Sequence, residues 1–317
     1  GVSLYQWAVF SVLQGHLFWQ DRQTAAWQQF PPELQDPHSP AVTAFTKQHA
    51  VAIEQQLYLQ WLAQLQLAEV KAECRKQSMA IGLYCDVAVG TSRSSAESWG
   101  APDDFLLDLS VGAPPDIMAP KGQNWGLLAY NPVTLRQKAY QPFIELIRAN
   151  MRYAGALRLD HVMALLRLWC CPLGADATAG CYLRMPAQEL FAILALESQR
   201  NHCVVIGEDL GTVPAEISEL MQHYQVLSYR VFMLEQKAGS YQHRDLTYPP
   251  QALATVTTHD MPTLVGFWQE LDLALRHQLD LFPSPAVADS LHQLRQSEKQ
   301  ILQQQLGITQ PDAATLV

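Results

Sequence analysis

The chain has 317 residues, 49% hydrophobic and 16% charged, with a formal net charge of −9, enough for one large domain or two ordinary ones. The acidic balance disfavours nucleic acid, whose phosphates need clustered Lys and Arg. No window approaches the roughly 18 consecutive apolar residues of a membrane span.

No secretory leader is visible, and opening on Gly1 rather than Met points to a start further upstream. The six cysteines (Cys74, Cys85, Cys170, Cys171, Cys181, Cys203) form neither a CxxC pair nor a Cys/His zinc spacing. Several sit in apolar runs, so free, buried thiols of a cytoplasmic protein are expected.

Residues 1–78 read as a helical segment rich in Gln and Ala. Within 42–76, Ile53, Leu57, Trp61 and Leu65 recur at helical spacing. The PPELQDPHSP stretch at 31–40 separates this run from a first helix. Beyond Gln77 short apolar runs alternate with amphipathic stretches. Buried strands are expected in 79–90, 153–162, 203–211, 226–234 and 252–260, and helices over 141–153 and 187–202. Near-continuous apolar strands alternating with helices predict a parallel sheet covered by helices. The tail, 268–317, reads as helical and rich in Leu and Gln.

Four of the expected strands meet a carboxylate near their C-terminal ends: Asp86, Asp160, Glu208 with Asp209, and Asp260. In a (β/α)8 barrel those ends surround one cavity, whereas an open doubly wound sheet would spread them along a crevice. Neither GxGxxG nor GxxxxGK[ST] occurs. The expected fold is α/β: a partial (β/α)8 TIM barrel over 79–317, with 1–78 inserted in it or packed on it.

In Arg158-Leu159-Asp160-His161, alternation along a strand puts Arg158 and Asp160 on one face. An arginine there keeps the carboxylate ionised and oriented, which suits a nucleophile, or forms a purely structural ion pair. Glu208 follows an apolar run and a glycine, where partial desolvation would raise its pKa as a general acid requires. A loop salt bridge is the alternative. Asp209 suits capping of the following turn or helix. In Thr257-Thr258-His259-Asp260-Met261-Pro262, Asp260 either contacts sugar hydroxyls or caps a helix starting near Pro262. Two carboxylates about 5–5.5 Å apart are what a retaining glycosidase mechanism needs.

Taken in order, R-x-D-H, E-D-L-G and T-H-D resemble glycoside hydrolase family 77 of the α-amylase superfamily, the amylomaltase-type 4-α-glucanotransferases. The stretches 81–100, 110–126 and 155–169 are similar to the same family, 110–126 to its mobile substrate loop. The likeness is strong over about 79–268 and fainter in the N-terminal helices and the tail. It implies Asp160 as nucleophile, Glu208 as acid/base and Asp260 as transition-state stabiliser. It further implies that Arg158 orients Asp160, that His259 contacts the sugar beside Asp260 and that Asp86 lines the cleft. His161, next to the nucleophile, either contacts substrate or packs away from it. Asp116 lies in the substrate loop, where Ile117 and Met118 replace the aromatic residues of some members. Trp125 is either a platform for glucose or a residue that packs the loop onto the barrel.

The resemblance implies maltodextrins or other α-1,4-glucans as partners, no cofactor and no metal. The family's S-P-Y motif is missing, and about five of eight barrel strands are expected. The expectation is therefore an internal fragment, with exposed strand edges that would favour self-association.

Overall fold

The computed structural model describes residues 3–115, 119, 121–235 and 248–307. It divides into two units, Gly1–Leu227 and Ser228–Val317.

The first unit opens with helices α1 (Leu4–Gln20), α2 (Pro40–Gln48) and α3 (Ala50–Lys76). Ser3 and Ser39 cap the first two, their hydroxyls accepting from the N–H groups of Gln6 and Val42, and Pro40 takes the first helical position. A core cluster joins Leu13, Trp27, Phe30, Phe45 and Ile53 to Trp99. The expected apolar stripe of α3 divides: Ile53 is buried, while Trp61 and Leu65 are exposed.

The chain continues through β1 (Tyr84–Val87), β2 (Thr91–Ser92), α4 (Ala96–Gly100), β3 (Leu109–Ala113) and β4 (Gln123–Leu128). Next come α5 (Pro132–Gln137), α6 (Gln141–Met151), β5 (Ala156–Leu159), β6 (Arg167–Pro172) and β7 (Cys181–Arg184), then α7 (Ala187–Asn201), β8 (Val204–Gly207) and α8 (Ala215–Tyr224). Strands β1, β5 and β8 pair in parallel in that spatial order. Their core side is filled by Leu157, Leu159, Val205 and Ile147, among others.

The remaining strands of this unit form an antiparallel sheet in the order β2-β4-β3-β6-β7. The sequence pattern did not predict it. Its strands are short, and β3 pairs with β6 across about sixty residues of chain. Such long-range pairing leaves no local periodicity to read.

The second unit carries β9 (Leu227–Val231) and β10 (Ala252–Thr255), parallel to each other, and helices α9 (Leu264–Trp268), α10 (Leu271–Gln278) and α11 (Pro285–Leu306). Arg295 on α11 ties this corner together. It donates to both oxygens of Asp272 at 2.9 Å and to the Phe267 carbonyl, and it lies over the Phe267 ring.

Each of the five strands expected from the sequence is present. All six cysteines are free, but only Cys170, Cys171 and Cys203 are buried. Cys74 and Cys85 are half-buried, and Cys181 is exposed on β7, which corrects the expectation of uniformly buried thiols. Among the described residues, no helix is long and apolar enough to cross a membrane.

Helices α6 and α7 are clamped by Glu197, 1% exposed, which takes two hydrogen bonds from Arg148 (2.7 and 2.8 Å) and one from Arg200 (3.0 Å). The Arg148 hydrogen bonds hold this carboxyl below the ordinary glutamate range. Glu197→Gln is expected to destabilise the fold by about 2 kcal/mol, measured by urea unfolding at pH 7. Because the folded pKa is depressed, the contribution is complete above the unfolded value near ~4.3 and is lost as pH falls through the folded value. The gap between wild type and variant should therefore close on acidification; a gap that widened would contradict this role.

Candidate active site

The parallel register sets the site. Asp86 lies opposite Arg158, and Leu159 opposite Gly207. The ladder runs one step further, with the Glu208 N–H donating to the Leu159 carbonyl at 2.9 Å. Asp160 and Glu208 thus occupy equivalent positions at the ends of neighbouring strands, which run about 4.8 Å apart. Gly207 permits this approach: a Cβ there would lie 2.9 Å from Cγ2 of Val162.

Arg158 is buried and carries a permanent charge. Its Nη1 donates to both oxygens of Asp86, at 2.9 and 2.7 Å, and its Nη2 donates to Oδ1 of Asp160 at 2.9 Å. One guanidinium therefore orients two carboxylates on adjacent strands. The Asp160 side chain is 39% exposed and faces solvent beyond that clamp. Asp86, which the family resemblance assigned to the cleft wall, meets Arg158 with both carboxyl oxygens, whereas Asp160 meets it with one.

Glu208 is 8% exposed. Its Oε2 accepts the His161 N–H and its Oε1 the Leu210 N–H, both at 2.8 Å. Burial pushes its pKa up, and the negative charge of Asp160 adds to that. The two amides and Arg158 pull the other way, but the net direction is upward. This is the environment a carboxyl needs to hold a proton for delivery. Among the described residues the salt-bridge alternative for Glu208 is not realised, and its carboxyl oxygens accept from main-chain amides. Asp209 does not cap α8, which begins at Ala215 beyond an N-cap at Pro214.

His161 adopts φ 49° and ψ 62°. Its ring meets Trp125 edge-on at 5.4 Å, and burial lowers its pKa. The Trp125 Nε1 donates to Oε1 of Gln123 at 3.0 Å, and its ring packs partly against the core. Trp125 thus packs its strand onto the sheet while standing beside the Asp160 turn. Beneath Asp160 and His161 lies a cavity of about 70 Å³ with apolar walls that include Val89, Leu135, Phe143 and Leu168. A roomier groove of about 640 Å³ between the start of α7 and α8 contains none of the candidate residues.

His259 and Asp260 belong to the second unit. Both are exposed, with His259 Nε2 3.4 Å from Asp260 Oδ2. The capping alternative for Asp260 fails: α9 starts at Leu264, and its N-cap is Thr263, whose hydroxyl accepts the Gly266 N–H. Asp116 lies outside the described residues.

The structure therefore brings together Asp86, Trp125, Arg158, Asp160, His161 and Glu208. Sequence reasoning missed Leu210 and Val162, which contribute only main-chain N–H groups. The glycines of I-G-E-D-L-G hinted at close backbone approach, but main-chain donors carry no side-chain signature.

The end of the parallel sheet thus holds an arginine-clamped aspartate on one strand and a buried glutamate on the next. The chain belongs to the 4-alpha-glucanotransferase family, glycoside hydrolase family 77, whose model matches residues 1–315. It is 41% identical over 305 residues to the 4-alpha-glucanotransferase of Haemophilus influenzae, covering 95% of this chain and 43% of that protein. It is 34% identical over 268 residues to that of Mycobacterium tuberculosis, covering 83% and 37%. The amylomaltase of Corynebacterium glutamicum superposes with a TM-score of 0.77 at 29% identity, covering 95% of this chain and 40% of that one. The fold is shared also with the Streptococcus agalactiae amylomaltase solved in complex with acarbose, at TM-score 0.74 and 19% identity, over 90% of this chain and 59% of that one. The chain spans less than half the length of the curated relatives it matches.

The electrostatics of the carboxyl pair can be read directly. Asp160→Asn removes a negative charge that raises the Glu208 pKa, so the Glu208 midpoint should move down. A ¹³C NMR titration of the Glu208 carboxyl, assigned through Glu208→Gln, measures it. A midpoint that stays put or rises would show that the two carboxyls do not share a field.

Proposed function

We propose that the protein is a retaining 4-α-glucanotransferase, moving α-1,4-glucan segments between maltodextrins through a covalent glucosyl-aspartate. The observation that carries this reading is the pairing of Asp160, clamped by Arg158, with the buried, upshifted Glu208 on the neighbouring strand.

In the first step the Asp160 carboxylate attacks the anomeric carbon while Glu208 gives its proton to the departing glycosidic oxygen. In the second, the Glu208 carboxylate takes the proton of an incoming sugar 4-hydroxyl, which displaces Asp160 with net retention. Arg158 aims Asp160, and Asp86 holds the far side of Arg158. The family likeness supports Asp260 as transition-state stabiliser and His259, Trp125, His161 and Asp116 as substrate contacts. It likewise supports reading 1–78 as a helical segment and 79–317 as part of the catalytic barrel. The medium is the cytoplasm. Self-association would run through exposed edges of the barrel strands.

The test is incubation of the protein, expressed from its complete reading frame, with maltotriose. A ladder of longer maltodextrins plus glucose is expected. Simple shortening would mean that water is the acceptor and the protein a hydrolase, and an unchanged substrate would leave only glucan binding. Asp160→Asn and Glu208→Gln should each lower transfer by roughly four orders of magnitude. Turnover that survived Asp160→Asn would remove the nucleophile from this scheme.

A further inference from the structure

His161 rests in the left-handed region, which few residues other than glycine occupy, although histidine tolerates it better than most. Of the other left-handed residues, Tyr140 and Glu270 stand, like His161, just before a helix. His202 and Gln225 close α7 and α8, where that conformation lets the next N–H groups reach the last carbonyls. His161 closes no helix. It stands between the end of β5 and the short 3-10 turn Val162–Leu165.

What its conformation accomplishes lies on Glu208. The His161 N–H donates to Oε2 of Glu208 at 2.8 Å. The next N–H along the chain, that of Val162, donates to the Glu208 carbonyl at 3.0 Å. Two successive N–H groups thus reach one residue, the first at its carboxylate and the second at its main-chain carbonyl. The ring contributes differently: it packs edge-on against Trp125. Burial holds the imidazole below its ordinary value.

We propose that His161 is a positioning residue for Glu208, and that its left-handed backbone, rather than its imidazole, aims the N–H that fixes the carboxyl. This deepens the reading of Glu208 as acid/base and rests on it for its catalytic consequence, though not for the hydrogen bond itself. The charged groups facing Glu208 within the first unit are Asp160 and Arg158 from the end of β5, with Asp86 of β1 behind Arg158.

Three substitutions separate backbone from ring. His161→Gly, His161→Asn and His161→Val all delete the imidazole. Glycine and asparagine accept the left-handed conformation, whereas β-branched valine resists it. The readout is the ¹³C titration midpoint of the Glu208 carboxyl in the protein expressed from its complete reading frame. The glycine and asparagine variants should titrate with wild type. The valine variant should shift upward by about one unit, because an amide that stabilises the carboxylate turns away. If His161→Val fails to fold by circular dichroism, His161→Ala replaces it, with a smaller upward shift expected relative to glycine.

A glycine variant displaced as far as valine would put the positioning in the ring, and a valine or alanine variant unmoved from wild type would remove it from the backbone. Either result overturns the proposal. The basic limb of kcat/KM for maltotriose should move up in the valine variant and not in the glycine variant. If wild type does not turn over maltotriose, the acid/base reading fails while the titration still decides what holds the carboxyl.

Discussion

The pairing of β5 with β8 is the constraint from which the site follows. Two parallel strands, in register from Ala156 opposite Val204 to Leu159 opposite Gly207, deliver Asp160 and Glu208 at one level. Side chains two residues apart share a face, so Arg158 sits one pleat below Asp160 and can reach it. The β1–β5 register adds Asp86 beside Arg158. No loop has to find its place for these groups to meet, because the hydrogen-bond ladder fixes them. A shift of one residue in either pairing would turn the carboxylates toward the helices and leave the arginine against apolar side chains.

The ionic part of the site depends on that placement. A buried arginine is tolerated only where its charge is answered. Arg158 is answered by Asp86 through two contacts and by Asp160 through one. The division has a chemical sense. Asp86 supplies most of the compensation, so Asp160 is oriented without being fully committed to the ion pair. Arg158 holds Oδ1 of Asp160, and the side chain remains partly exposed.

The sequence made much of this legible. The five apolar strands were visible because buried parallel strands read as continuous hydrophobic runs. The alternation Arg158–Asp160 announced a shared face before any pairing was known. The order of R-x-D-H, E-D-L-G and T-H-D, with its family likeness, supplied what no single motif could. Other features left no local trace. The antiparallel sheet arises from pairings such as Val111 with Cys170, which depend on distant segments meeting. The fate of Asp260 as cap or free carboxylate turned on whether α9 began at Pro262 or two residues later, and Thr263 took the cap. Element ends are where local pattern is weakest. The main-chain donors on Glu208 were invisible in principle, since every residue but proline carries the same N–H.

Glu208 shows why such donors matter. A residue that first gives a proton and then takes one must hold both forms at similar free energy. Burial and the charge of Asp160 favour the protonated form, while the His161 and Leu210 amides and Arg158 favour the carboxylate. Removing the amides would leave a carboxyl that keeps its proton but is free to rotate in its pocket. Adding a side-chain cation instead would fix it but hold it ionised, so that it could no longer serve as the acid. Neutral, main-chain donors on both oxygens orient the group with only a moderate downward pull on its pKa. Two main-chain hydrogen bonds thus hold Glu208 in place, one from Leu210 and one from His161, the residue that follows Asp160.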